Sequence, residues 1–172
     1  KKTPDLSQVF KSNALIGLGS NLSSPKQQIK KAVQVINQLD SIDVHKTSSL
    51  YESIPQGPQD QDKFINAVTF IKTSLSPVEL LKELQHIEQR FGRIKTRHWG
   101  ERIIDLDIIF YNQDRINISS PSLTIPHPHA LTRDFVLIPA VEIAADWQLP
   151  DGTHLKSLVH QCVSHQLNRI LA

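Results

Sequence analysis

The chain has one cysteine, Cys162, in 172 residues. That excludes an intrachain disulfide and any multi-cysteine zinc site, and it suits a reducing, cytoplasmic location, which is the expectation here. No apolar run approaches the ~18 residues that cross a bilayer, so no membrane helix is expected. Neither sign of charge dominates. Nineteen Lys and Arg against 17 Asp and Glu leave a net charge of +2, too little for a dedicated nucleic-acid binder. Glycine-rich phosphate loops are missing too. Gly17-Leu-Gly19 follows an apolar run and precedes a helix signal, but the third glycine of a dinucleotide fingerprint is absent and no G-x-x-x-x-G-K-[ST] occurs. These glycines read instead as positions of tight turning or close backbone approach. There is no internal repeat, low-complexity tract or linker. Lys1 to Asn13 is polar and has no apolar stretch, so it is expected to be an extension rather than a signal peptide. A single domain is expected over residues 14–172.

What is present is a regular alternation of patterns. Ala14 to Gly19 reads as a strand. Ser24-Pro25 reads as an N-cap followed by Pro at the first helical position, with Ile29, Ala32, Val33, Ile36 and Leu39 on one helical face. Val44 to Tyr51 reads as a second strand, Ile54 to Lys63 as a loop, and Phe64 to Thr73 as a third strand. Ser76-Pro77 repeats the helix start, Leu80, Leu81, Leu84, Ile87 and Phe91 form the stripe, and Gly92 stops it. Arg102 to Tyr111 is the fourth strand. The order β-α-β-β-α-β predicts a ferredoxin-like α+β fold, an antiparallel sheet with both helices on one face. A C-terminal extension follows: a Pro-rich loop, a short helix near Leu137 to Ala144, and a helix within His154 to Leu171.

The fourth strand carries the strongest chemical signal. Side chains two apart share a strand face, so Ile104, Leu106, Ile108 and Phe110 form an apolar side. Asp105 and Asp107 sit together on the other, roughly 7 Å apart at Cα. Adjacent carboxylates repel unless a cation or water screens them. They suit Mg²⁺, which takes one or two protein carboxylates and completes its shell with water and phosphate. The plainer reading is the solvent face of a half-buried strand. Just before it lie Arg90, Arg93, Lys95, Arg97 and Arg102, with His98 and Trp99 among them. Beside a carboxylate pair, such cations suit a metal-polyphosphate; alone, they read as a solvated charged loop. Phe64 and Asn66 share a strand face and would suit a flat heterocycle, stacked by the ring and paired at its edge by the amide. A core Phe and a structural Asn is the alternative. His127-Pro-His129 lacks a third metal ligand, so one imidazole touching phosphate is the better use, with Arg133 and Phe135 following.

Taken together, several segments resemble the 6-hydroxymethyl-7,8-dihydropterin pyrophosphokinases of folate biosynthesis. They are Leu18-Gly-Ser-Asn21, Gly57-Pro-Gln-Asp-Gln61, Phe64-Ile-Asn-Ala67, Ile87-Glu88 with Gly92-Arg93, Trp99-Gly-Glu-Arg-Ile-Ile-Asp-Leu-Asp107, Ile125-Pro-His127 and Arg133-Asp-Phe-Val-Leu137. The resemblance implies transfer of diphosphate from ATP to the pterin hydroxymethyl oxygen, with AMP leaving and two Mg²⁺ ions on the triphosphate. It implies metal binding by Asp105 and Asp107, with Arg93 and Arg102 joining them in catalysis. It implies a pterin site of Ser53, Pro55, Gln56, Phe64, Asn66, Trp99 and Phe135. Nucleotide contacts would come from Gln85, Arg93, Lys95, His98, Arg102, Ile108, His127 and Arg133. Trp99 would lie in a loop that closes over the site. Lys95 and His98 stand where some relatives carry Arg, Glu101 at a position that is often Pro, and Phe64 where some carry Tyr. The expected state is a monomer acting on small molecules, with neither nucleic acid nor membrane as partner.

Two other readings share this topology. An RNA-recognition module also uses sheet aromatics, but Phe64 to Thr73 does not match its RNP1 pattern, and the open-face aspartates would repel phosphate. A palm-type nucleotidyl transferase also carries two aspartates on such a sheet, and would release pyrophosphate rather than AMP.

Overall fold

In the computed structural model the described residues are 10–55, 57–92 and 103–170. Strand β1 (Ser12–Ser20) lies at the centre of an antiparallel sheet, with β5 (Asp105–Tyr111) on one side and β4 (Phe64–Thr73) on the other. The outer edge of β4 is shared by β2 (Ile42–Thr47) and β3 (Tyr51–Ser53). Counting β2 and β3 as one bent strand gives the ferredoxin-like order expected. β1 begins at Ser12, and Asn13 and Asn112 exchange hydrogen bonds of 2.8 and 2.6 Å. Ser12 and Asn13 thus belong to the domain and not to the extension assigned to residues 1–13.

Helices α1 (Pro25–Gln38) and α2 (Pro77–Arg90) cover one face, as their apolar stripes require. Ile29, Ala32 and Ile36 meet Leu80, Leu84 and Ile87 over Ile16, Leu18, Leu106 and Ile108 of the sheet. α2 starts with a capping box, Ser76 Oγ accepting from Glu79 N–H at 3.2 Å and Glu79 Oε1 accepting from Ser76 N–H at 2.9 Å. It stops at Gly92, whose φ of +76° favours glycine. At α1, Pro25 takes its expected first-turn place, but Ser24 sits at φ +63° and its side chain makes no cap bond.

The opposite face is not left bare. The C-terminal extension adds α3 (Asp134–Ala144), and its Val136, Leu137 and Ala140 pack on Leu15, Val68, Ile109 and Phe110. Phe110 is therefore on the far side from Leu106 and Ile108, not in line with them. The cause is a register shift: Ile16 pairs with Ile108 but Leu15 with Phe110, so Ile109 is an extra residue that reverses the alternation. The strand expected over Val44 to Tyr51 also divides. At the break Ser48 donates its N–H to Val68 O at 2.9 Å, and its Oγ accepts from Val68 N–H at 2.9 Å, so a side chain replaces the ladder there.

The rest of the extension departs further from expectation. Residues after Asn112 form a hairpin, β6 (Ile116–Ser119) and β7 (Ser122–Ile125), in place of a loop alone. The expected helix within His154 to Leu171 is a short 3-10 helix (Leu155–Gln161) followed by β8 (Asn168–Arg169), which pairs with β3. No helix among the described residues is long and apolar enough to cross a membrane.

Candidate active site

Pairing across the sheet places chemistry on both sides of two glycines. Gly19 of β1 is the partner of Asp105 on β5 and of Asn66 on β4, and Gly17 is the partner of Asp107. Side chains at directly paired positions share a face, so one row runs carboxylate, glycine, amide. A Cβ on Gly19 would come 3.2 Å from Asn66 Nδ2 and 3.9 Å from Phe64 Cδ2; one on Gly17 would come 3.0 Å from Ile109 Cδ1. Their missing side chains leave the floor of a cavity of about 320 Å³, within the range that encloses a small ligand. α3 covers the sheet beyond this floor, and Phe135 and Val136 in its first turn make a wall.

One end of the cavity combines aromatic rings with a buried amide. Phe64, Asn66, Ser53 and Phe135 all line it. Asn66 is buried, and its Oδ1 accepts from Ser53 Oγ at 2.7 Å. That bond assigns the amide orientation and leaves the Nδ2 donor on the Gly19 side, available to a ligand edge. Phe135 is met edge-on by His165, with centroids 5.0 Å apart, and the Arg133 guanidinium carbon lies 5.5 Å from its ring centre.

The other end is acidic, with a cation facing it. Asp105, Asp107, His127 and Arg133 line it. Burial first, then the charges of Asp105 and Glu88 and a hydrogen bond with Asp105, push the Asp107 carboxyl well above its ordinary range, while Arg133 pulls the other way. Glu88 is itself buried and anchors β5 to α2, its Oε2 accepting from Leu106 N–H at 2.8 Å. Burial lowers the pKa of Arg133, with Asp107 and Asp105 opposing that; a guanidinium keeps its charge in such a place. Burial, aided by Arg133 and His129, pushes His127 down to about 4. Its Nδ1 accepts from His129 N–H at 3.3 Å. His127 is thus a neutral imidazole at physiological pH, with Nε2–H as its donor.

Among the described residues no three His, Cys, Asp or Glu side chains gather as a metal cluster. The protein offers a carboxylate pair in mutual repulsion, which fits Mg²⁺ completed by water and substrate oxygens.

The expected site residues therefore divide by position. Ser53, Phe64, Asn66, Asp105, Asp107, His127, Arg133 and Phe135 converge on one cavity. Pro55 is buried in the adjoining loop, and Gln85 is exposed on α2, away from the cavity lining. The side chain of Ile108 is 4% exposed and packed in the helix-side core, because it alternates with that of Asp107, and it does not line the cavity. Gln56, Arg93, Lys95, His98, Trp99 and Arg102, with the rest of the basic loop, lie outside the described residues. Expectation from sequence did not place Gly17 and Gly19 in the floor, although glycine inside a strand signals close approach. Nor did it place Ile54, Ile109, His129 and Val136 in the lining.

A ferredoxin-like sheet with an aspartate pair, a facing arginine and an adjoining aromatic-amide pocket defines an enzyme that acts on phosphate and a flat heterocycle. Comparison with known proteins makes this specific. Residues 15–145 match the model of the 7,8-dihydro-6-hydroxymethylpterin-pyrophosphokinase family. The chain is 45% identical over 157 residues to the 2-amino-4-hydroxy-6-hydroxymethyldihydropteridine pyrophosphokinase of Haemophilus influenzae, covering 91% of this chain and 97% of that one. It is 39% identical over 155 residues to the enzyme of the same name from Pseudomonas aeruginosa, covering 90% and 94%. The chain belongs to this family of pyrophosphokinases. In fold it is similar to the crystal structure of Plasmodium falciparum HPPK-DHPS with pteroate, with a TM-score of 0.68 at 16% identity over 88% of this chain. It spans 42% of the length of that structure's chain.

Proposed function

We propose that this protein transfers the terminal diphosphoryl group of ATP to the hydroxymethyl oxygen of 6-hydroxymethyl-7,8-dihydropterin, giving the pterin diphosphate and AMP. The observation that carries the reading is the row Asp105, Gly19, Asn66: a phosphate-handling carboxylate and a heterocycle-reading amide, separated by a glycine floor. The pterin ring lies over Gly19 with Phe64 and Phe135 flanking it and Asn66 Nδ2 at its edge. Its hydroxymethyl group then points to Asp105 and Asp107. These carboxylates would hold two Mg²⁺ ions, which supply charge neutralisation for the triphosphate when bound.

The bond formed is pterin oxygen to β-phosphorus; the bond broken joins β-phosphorus to the oxygen that leaves with AMP. Such transfers ask for alignment and charge stabilisation more than covalent help. Arg133 supplies a fixed cation opposite the aspartates, and neutral His127 supplies a hydrogen-bond donor. By the sequence resemblance, Arg93, Lys95, His98 and Arg102 would add phosphate contacts, and Trp99 a contact with the pterin. The working unit is a cytoplasmic monomer that uses neither nucleic acid nor membrane.

Incubation with ATP, Mg²⁺ and the pterin tests the assignment. Pterin-dependent AMP formation that stops on chelation of the metal supports it. ADP formation indifferent to the pterin contradicts it.

A further inference from the structure

His165 lies beyond the residues that the family model matches, 15–145, yet it touches both walls of the pterin end of the cavity. It is buried, 8% exposed, as is Asp134 beside it. Its Nδ1 lies 3.0 Å from Asp134 Oδ1 and 3.1 Å from Val163 O. Both of those atoms are acceptors, so Nδ1 carries the proton. Its backbone N–H donates to Asp134 Oδ2 at 2.9 Å. The carboxylate is thus held at both oxygens by one residue, and the imidazole is fixed in rotation. That imidazole stands edge-on to Phe135, at 5.0 Å and 84°. From its other side, the His165 carbonyl accepts the N–H of Ile54 at 3.0 Å, next to Ser53, which pins Asn66.

A ring wall on α3 and the Ser53-Ile54 wall after β3 are far apart in sequence; Tyr51 of β3 donates its hydroxyl to Glu142 at 2.6 Å two turns further along α3, and His165 bridges the two walls beside the cavity itself. We infer that His165 is a positioning residue for the pterin: through Asp134 and its own ring it sets the Phe135 face, and through its carbonyl it sets the Ser53-Ile54 wall, so one residue ties the two walls together beside the gap that receives the heterocycle. The segment around it is anchored for this purpose. Val163 N–H donates to Thr132 O at 2.7 Å, and β8 pairs with β3 through Tyr51 with Arg169 and Glu52 with Asn168. A geometric error of about 1 Å at such a gap is costly to binding and alignment. His165 does not itself line the aspartate end, so its effect falls first on the pterin.

The inference rests on the pterin reading of the cavity, and the experiment separates the two. Pterin Kd by calorimetry and KM for each substrate are measured for the full chain, His165→Ala and His165→Asn, with thermal melting of each. The expected result is a roughly tenfold rise in pterin Kd and KM for His165→Ala, with KM for ATP within about twofold of the parent. His165→Asn, which restores a donor to Asp134, returns most of the loss. Unchanged pterin affinity in His165→Ala overturns the inference and leaves the functional reading standing. A parallel loss in both substrates that tracks the melting temperature, with no rescue by Asn, shows a structural role only and also overturns it. Failure of the parent chain to bind pterin overturns the functional reading, and this inference with it.

Discussion

Ser53 donates its hydroxyl to Asn66 Oδ1 across 2.7 Å, in a place where the two residues are 2% and 6% exposed. The bond determines which end of the amide a ligand meets. With Oδ1 engaged, Nδ2 faces the Gly19 floor, and the site is a donor toward the heterocycle. Replacing Ser53 by Ala frees the amide to rotate and leaves its oxygen unpaired. A loss of about 1–1.5 kcal/mol, on the order of tenfold in pterin affinity, is expected. Calorimetric titration of Ser53→Ala with pterin checks it; ATP affinity is expected to hold.

The glycine floor makes a steric prediction. In Gly19→Ala the new Cβ lies 3.2 Å from Asn66 Nδ2, a contact that the amide must yield to. The backbone is extended, so alanine is tolerated by the strand itself. Pterin KM is expected to rise about tenfold while the melting temperature moves by only a few degrees. A variant with unchanged KM would show that the ligand does not lie over this row.

Asp107 is a site where function costs stability. Its carboxyl pKa is raised in the folded chain by burial and by Asp105 and Glu88. A carboxyl with a raised folded pKa favours folding at low pH, and that contribution is lost as pH climbs through the folded value. Above the ordinary carboxylate range the group opposes folding. Asp107→Asn is therefore expected to abolish turnover and yet unfold later, by about 1 kcal/mol or a few degrees. Calorimetric melting of the metal-free variant beside the parent, with activity assayed on the same sample, measures both.

His127 predicts a pH dependence of opposite sign. Its pKa falls from 6.5 to about 4 on folding, so the unfolded chain binds the extra proton between those values. The stability it contributes is complete above pH 6.5 and declines as pH falls toward 4. The difference in unfolding free energy between the parent and His127→Gln, followed by denaturant titration from pH 4 to 7, isolates this one group. The difference is expected to shrink steadily on acidification; a flat difference would show that the imidazole is not held neutral.

Much of the fold was legible because it rests on local patterns. The stripes of α1 and α2, the helix start at Ser76-Pro77 and the strand from Phe64 to Thr73 fall where local pattern puts them. What escaped depends on contacts between distant residues. Ile109 cannot be identified as an extra residue until β1 is paired with β5, so Phe110 was assigned to the wrong face. β8 has two residues and exists only against β3. α3 begins at Asp134, three residues before the expected start, and that first residue is held by His165 from far along the chain. The hairpin was legible in the alternation Ile116, Ile118 and Leu123, Ile125, but the surrounding prolines argued for a loop. In the site, the aspartate pair and Phe64 with Asn66 follow from the two-residue period of a strand. The glycine floor between them is a property of three strands in register.

The most direct test of the account follows the oxygen that leaves. ATP labelled with ¹⁸O in the bridge between α- and β-phosphorus is turned over with Mg²⁺ and 6-hydroxymethyl-7,8-dihydropterin, and the products are weighed by mass spectrometry. The expected products are a pterin heavier by two phosphoryl groups and AMP that carries the entire label. A pterin monophosphate with ADP, or a nucleotidylated product with free pyrophosphate, would contradict it.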